Sequence, residues 1–148
     1  MIEICDIIDA LRREIHAAFP KPKQYINLCP DKFTRPAFLI EYVTTTTRDA
    51  SFGCLDVTQY FTITCFLQVG ELHETDTKGI LSMQEGVIRL FRKGYLRVKD
   101  RAIKVSASTG GRNWDEAYID IQFQYQDERG IEEQREPMGE ISTTIKGE

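Results

Sequence analysis

Hydrophobic and polar side chains alternate almost strictly along VTQYFTITCFLQV, residues 57–69. Successive side chains of a strand point to opposite faces of its sheet, so this pattern predicts one long strand with an apolar face and a polar face. The alternation returns over residues 116–127, which predicts a partner strand of nearly the same length. At about 3.3 Å per residue the first strand spans roughly 40 Å, the full width of a compact domain of this size.

Two other stretches have apolar residues at helical spacing. Residues 3–19 predict an amphipathic helix that ends at Pro20, because proline cannot continue a helix. A second helix is predicted to begin after Thr75 or Asp76, either of which can cap it, and to end before Gly94.

Shorter strands complete the pattern. Residues 36–43 predict a buried strand, followed at 44–53 by a polar connector or a strand edge. A hairpin is predicted from 95–98 and 103–107, with a turn-rich loop at 108–113. We therefore expect an α+β fold, with a mainly antiparallel sheet of long strands and two helices packed on one face.

The C-terminal part differs from the rest of the chain. Residues 127–136 are charged and predict a solvated hairpin tip or hinge, and residues 138–146 alternate again and predict an edge strand. Such a strand can return to its own sheet or extend that of a neighbouring molecule. We expect one domain over 1–148, with 127–148 as the hinge and edge strand. The candidate contact residues here are Ile141, Thr143 and Ile145.

Composition and charge exclude several classes of protein. The formal charge is −4, and Lys and Arg are scattered, which disfavours nucleic-acid binding by the whole surface. No apolar run approaches the length of a membrane span, and acidic residues interrupt the apolar N-terminal stretch, unlike a signal peptide. We expect a protein made in the cytoplasm, with no membrane partner.

The sequence offers little catalytic chemistry. Its two histidines are His16, beside the apolar stripe of the first helix, and His73, in a polar connector. The four cysteines form no Cys-x-x-Cys pair and are expected to be reduced and mostly buried. We expect no enzyme activity, no catalytic residue, no metal and no cofactor. If the protein is an enzyme or inhibitor, His73 with Asp76 or Cys54 is the place to look.

The polar face of the two long strands is poor in charge. Free solvent-facing sheets usually carry more Lys and Glu, so this face indicates cover by another subunit; a plain solvent face and cover by the chain's own helices are the alternatives. Arg35 could hold an acidic partner or be a simple surface residue, and Trp114 could anchor the core or an interface. The interface candidates on the two strands are Thr58, Tyr60, Thr62, Thr64, Gln122 and Gln124.

The order of these elements resembles a known family. The stretch KFTRPAFLIEYV, residues 32–43, contains an aromatic residue, an Arg-Pro step and an apolar strand with Glu41 near its end. With the N-terminal helix, the strand ending in ITCFLQV, the helix ending in LFRKG, the Val-Lys-Asp-Arg hairpin and the strand AYIDIQFQYQ, it resembles the phage tail terminator proteins of Gram-positive phages and prophages.

This resemblance implies a structural virion protein that ends growth of the tail tube as a ring, six-fold by that resemblance, and joins the tail to the neck of the head. The implied partners are other copies of itself, the tube protein, the neck or connector protein and, in a contractile tail, the sheath. DNA would pass through the ring only as cargo. A tail-like bacteriocin is included, and a neck or head-completion connector and, more distantly, a small enzyme or inhibitor remain as alternatives.

Overall fold

The computed structural model describes residues 2–28, 30–68, 76–112 and 116–128. The predicted residues Trp114, His73, Ile141, Thr143 and Ile145, and nearly all of the C-terminal hinge and edge strand, lie outside this part of the chain. The elements, in chain order, are α1 (Ile4–Ala18), β1 (Lys23–Ile26), β2 (Ala37–Asp49), β3 (Cys54–Phe66), α2 (Thr77–Leu90), β4 (Tyr95–Val98), β5 (Arg101–Arg112) and β6 (Glu116–Glu128).

The six strands form one sheet in the order β1-β2-β3-β6-β5-β4. Four neighbouring pairs are antiparallel, but β1 runs parallel to β2, so the sheet is mixed rather than mainly antiparallel as predicted. The prediction was wrong because β1 lies in a segment assigned as loop. Its four residues are too few to show an alternation, and the strand is held by pairing with Ala37–Ile40.

The two long alternating stretches correspond to β3 and β6 at the centre of the sheet, but β3 begins and ends three residues earlier than the predicted 57–69. They pair over thirteen residues each, from Cys54 opposite Glu128 to Phe66 opposite Glu116. Each is also paired with an outer neighbour, β3 with β2 and β6 with β5. Both edges of each central strand are therefore occupied within the chain.

β2 and β5 extend further than a simple alternation indicates. Residues 44–49 continue β2, so the strand-edge alternative is correct there, whereas residues 108–112 continue β5 where a loop was predicted. Each strand contains a β-bulge, between Tyr42 and Thr44 in β2 and between Thr109 and Gly111 in β5. A bulge adds one residue and shifts the side-chain alternation, which hides the continuing strand from the sequence pattern.

The core is one cluster of buried side chains from both helices and from the sheet. Phe61 is its centre, with edge-to-face contacts to Tyr42 and Phe123 at 5.6 Å between ring centroids. α2 packs against β3, β5 and β6, and α1 packs against α2 and β4. The fully buried side chains on the helices include Ile7, Leu11, Ile15, Ile80 and Val87.

Local signals set the ends of both helices close to the predicted positions. In α1 the carboxylate of Asp6 accepts a hydrogen bond from the Glu3 N–H, 2.9 Å, and in α2 the carboxylate of Asp76 accepts from the Gly79 N–H, 3.1 Å. After α2 the chain turns at Gly94, whose φ of +85° is the left-handed conformation that glycine adopts without strain.

Candidate assembly surface

The sheet face opposite the core is a concave polar surface, which we call the open face. Side chains on it alternate along β2, β3, β6 and β5 with the buried side chains of the core. A concavity of about 670 Å³ crosses all four strands. The central residues of the open face are Thr44, Thr46, Thr58, Tyr60, Thr62, Ser106, Ser108, Asp120, Gln122 and Gln124.

Hydroxyl and amide groups dominate the chemistry of this concavity. Among the described residues that line it, Asp120 is the one charged side chain. Asp120 lies directly opposite Thr62 and accepts a hydrogen bond from the Thr62 hydroxyl, 3.2 Å between the two oxygens. The concavity can therefore offer neutral donors and acceptors over a broad area, with one carboxylate near its middle.

One end of the open face is closed by the segment that contains Arg35. The Arg35 guanidinium lies over the rings of Phe33 and Phe66, 4.9 and 5.2 Å from their centroids, and donates to the Leu67 carbonyl at 3.0 Å. These contacts give Arg35 a structural role within the chain. Thr64, near the same end, is 3% exposed, so its side chain cannot reach a partner in this conformation.

The other predicted contact residues remain accessible. Thr58, Tyr60, Thr62 and Gln122 are half-buried on the open face, and Gln124 is exposed. The structure thus brings five of the predicted residues together on one surface, while the prediction that they contact another subunit stays a prediction. Sequence reasoning missed Thr44, Thr46, Ser106 and Ser108, which share the surface.

A buried network of hydrogen-bonded polar side chains lies on the core-facing side of the same strands. Gln59, 4% exposed, donates to the Tyr125 hydroxyl at 3.0 Å and accepts from the Thr45 hydroxyl, which also contacts the Tyr42 hydroxyl. Burial raises the pKa of Tyr125, the largest effect on that group. Because each buried polar group has a partner, this network fixes the register of β2, β3 and β6 beneath the open face.

The described residues provide few reactive groups elsewhere. Within the described part of the chain, no group of three or more His, Cys, Asp or Glu side chains is placed to hold a metal ion. Cys5 is exposed, Cys54 is half-buried and Cys65 is buried, so the prediction of mostly buried thiols holds for Cys65 and is wrong for Cys5. Burial raises the pKa of the Cys65 thiol to about 12, which keeps it protonated and unreactive at neutral pH. In the same residues no helix is long and apolar enough to cross a membrane.

Comparison with known proteins identifies the family of this chain. A family model described as phage tail terminator protein matches residues 6–136. The chain belongs to the phage tail terminator family. The match runs from α1 past the end of β6, and therefore includes every strand that forms the open face.

A solved structure shares the fold of this tail terminator family member. It superposes with a TM-score of 0.51 at 14% sequence identity, over 90% of this chain and 100% of that chain. At this identity the likeness shows the fold alone, and the name of that protein states no function. No curated protein matches the chain. Family membership makes this protein a structural component of a phage tail, in contact with other tail components.

Proposed function

We propose that this protein ends growth of the tail tube by closing a ring of about six copies on the last tube layer. The ring presents its other side to the neck of the head and, in a contractile tail, also contacts the sheath. The open face is turned toward the central channel. The observation that carries this placement is the concave, four-strand surface of Thr, Ser and Gln side chains with a single carboxylate.

The chemistry of the open face fits a channel for DNA. Basic side chains would bind the phosphates of passing DNA, whereas neutral hydroxyls and amides make no ion pairs with them. The described lining of the concavity has no basic side chain, and Lys104, opposite Gln124, lies at its margin. The net charge of −4 per copy adds repulsion that keeps DNA from adhering to the ring. The protein is then a structural ring through which DNA moves as cargo.

The same composition argues against a dry protein interface. Centres of protein interfaces are enriched in aromatic residues, Met and Arg, whereas the accessible centre of the open face has one aromatic residue, Tyr60. The sequence-based alternative, in which Thr58, Thr62 and Gln122 contact another subunit, predicts a different response to added charge. The Gln122→Lys variant distinguishes between a channel-facing and a subunit-contacting open face.

The first test is the mass of the purified protein by light scattering across a wide concentration range, with electron microscopy of large species and of tail tubes mixed with the protein. We expect rings with a central hole, alone or on tube ends. A protein that remains monomeric and does not bind tube ends would refute the proposed function.

The second test is Gln122→Lys, which places one positive charge per copy in the concavity. Gln122 lies opposite Tyr60 and Ser106, so the new ammonium meets no like charge directly across the strands. We expect rings to form as in the wild type, and to retain double-stranded DNA at low salt with release as salt rises. Ser82→Lys, on the exposed side of α2, is the charge-matched control and should retain none. Loss of rings by a folded Gln122→Lys protein would show that the open face is a subunit contact.

A further inference from the structure

Residues 44–48 of β2 form an unpaired strand edge, called here the β2 edge. β1 pairs with Ala37–Ile40, and in the described part of the chain no strand pairs with the outer side of β2 beyond them. The Ile40 carbonyl accepts a hydrogen bond from the residue after β1, 2.8 Å, which shows that its backbone groups point outward. The backbone N–H and C=O groups of successive strand residues point alternately inward and outward. When this alternation is continued through the bulge, the groups of Thr45 and Thr47 point outward as well.

Residues 106–111 of β5 form a second edge of the same kind, called the β5 edge. β4 pairs with Arg101–Lys104, and no described strand pairs with the outer side of β5 beyond them. The Val105 N–H donates to the carbonyl of the residue before β4, 3.0 Å, so Val105 points outward. By alternation the backbone groups of Ala107 and Thr109 point outward too.

Both edges lack the usual protection against pairing. Exposed strand edges commonly carry lysine or proline, whereas the β2 edge reads TTTTR and the β5 edge reads SASTGG. Neither contains lysine or proline, and the one charge stands at the end of the β2 edge. Backbone N–H and C=O groups that are left without partners are a template for another strand.

We propose that the β2 edge of one copy pairs, antiparallel, with the β5 edge of the next copy, and that this contact closes the ring. The inference rests on the proposed function, which supplies the ring, and assigns its subunit contact. The partner is a second copy of this chain. A contact between two different edges is heterologous, the type of contact that generates closed rings.

The strand directions permit this pairing. β2, β3, β6 and β5 are successively antiparallel, so β5 runs opposite to β2 within one sheet. A neighbour related by rotation about the channel axis therefore presents β5 antiparallel to β2. Both free edges are the second halves of their strands. Unshifted antiparallel strands pair a second half with a first half, so the two edges meet only if the neighbouring copy is shifted along the strands. The first halves keep their own partners, β1 and β4.

The offset between the two edges also fits a closed sheet. Thr46 pairs with Thr58, and Thr58 pairs with Gln124. Gln124 pairs with Lys104, so Thr46 lies level with Lys104, whereas the centre of the β5 edge lies about four to five residues further along, near Ser108. This offset is roughly 15 Å over four strand spacings of about 4.8 Å, which gives a strand tilt of about 40°. Closed β-barrels have tilts of about 35–45°.

Other pairing partners would leave more of the two free strand edges unpaired. Pairing of two β2 edges across a two-fold axis would leave both β5 edges unpaired, and a strand from residues 138–146 would fill one edge and leave the other. The head-to-tail contact satisfies both edges at once. It also joins the open faces of successive copies into one continuous surface, in agreement with their proposed position around the channel.

Disulfide crosslinking tests the contact directly. Thr46→Cys and Ser108→Cys place thiols on the open face at positions expected to form a close, non-hydrogen-bonded pair between copies. Within one copy these positions lie at least three strand spacings apart, roughly 14 Å, too far for a disulfide. We expect oxidation to give crosslinked dimers when the two single variants are mixed, and a ladder up to the ring in the double variant. Wild type oxidised in parallel reports any crosslink from native cysteines.

Proline substitution supplies an independent readout. Thr47→Pro removes an outward N–H that no described strand of the same copy uses, and edge strands accept proline at such positions. We expect at least a tenfold loss of ring assembly by a protein with the wild-type circular dichroism spectrum. Arg97→Pro is the matched control, because the alternation places its N–H on the outer side of β4; it should assemble normally.

The outcomes separate the two proposals. Crosslinks in the Thr46→Cys variant alone would show a two-fold contact and overturn the edge pairing. Rings that form without the mixed crosslink, or that form normally with Thr47→Pro, would also overturn it and leave the tail-capping ring intact. Absence of wild-type rings both in solution and on tube ends would overturn the proposed function itself.

Discussion

Replacement of Thr62 by aspartate tests the geometry of the open face in isolation from assembly. Thr62 and Asp120 are directly opposite on β3 and β6, and the Thr62 hydroxyl donates to the Asp120 carboxylate, 3.2 Å. Thr62→Asp replaces that hydrogen bond by two carboxylates whose Cβ atoms lie about 5 Å apart, and it also places the new carboxylate opposite Glu41 of β2. We expect the free energy of unfolding to fall.

The magnitude follows from the exposure of the pair. Two like charges about 5 Å apart repel by about 0.8 kcal/mol in water and about 3 kcal/mol at an effective dielectric constant of 20. Asp120 is exposed and Thr62 half-buried, so a value near 1 kcal/mol applies. Loss of the hydrogen bond adds about 1 kcal/mol. A total of about 1–2 kcal/mol corresponds to a fall in Tm of about 3–8 °C for a domain of this size.

Thermal and urea unfolding of a double-mutant cycle measure this coupling. The Asp120→Asn variant loses one charge, and Thr62→Asp combined with Asp120→Asn removes the repulsion between positions 62 and 120 while Glu41, opposite position 62 on β2, stays in place. We therefore expect the double variant to recover about 1 kcal/mol relative to Thr62→Asp. Repulsion raises the pKa of one carboxyl in the Thr62→Asp pair above its unfolded value. Its destabilisation is therefore largest near neutral pH and fades as pH falls below about 5. A coupling below about 0.3 kcal/mol, or a loss that does not change with pH, would refute the placement of these two side chains.

Three further predictions concern the fold that supports the surface. Asp76→Ala removes the N-cap of α2 and should lower the free energy of unfolding by about 1 kcal/mol, measured by urea denaturation. Gln59→Leu leaves the Tyr125 hydroxyl without its buried amide donor and should cost about 1–3 kcal/mol in the same assay; an unchanged midpoint would contradict the network. Iodoacetamide at pH 8 should modify the exposed Cys5 rapidly and Cys65 only on unfolding, as mapped by mass spectrometry. Because the pKa of Cys65 is raised to about 12, its contribution to stability should persist below about pH 9 and disappear as pH rises toward 12.

The sequence predicts the parts of this fold in which local and tertiary signals agree. β6 begins at Glu116 and ends at Glu128, close to the predicted 116–127, because every second side chain enters the core. The predicted helix 3–19 differs from α1 by one residue at each end, and Asp76 caps α2 as one of the two predicted residues. α2 ends at Leu90, three residues before the predicted end next to Gly94. The same alternation found Thr58, Tyr60, Thr62, Gln122 and Gln124, which share the open face.

The missed elements depend on contacts that a linear pattern does not contain. β1 is a strand because Ala37–Ile40 provides a partner, and its own four residues show no period. Thr64 has the same place in the alternation as Thr62, yet it is 3% exposed, near the end of the sheet where the Arg35 segment folds over the face. Neither the parallel pairing nor this cover leaves a periodic trace in the sequence.

The strand halves that matter most for the proposed ring were also the hardest to recognise, and the reason is physical. Residues 44–48 and 106–111 have no apolar alternation, and Thr, Ser and Gly in succession are typical of loops. A strand half that lines an aqueous channel and pairs its outer edge with another copy needs just such residues. Apolar side chains would expose a sticky surface before assembly, and lysines would block the edge. In this family member the loop-like composition of residues 44–48 and 106–111 is therefore compatible with strands that pair with another molecule.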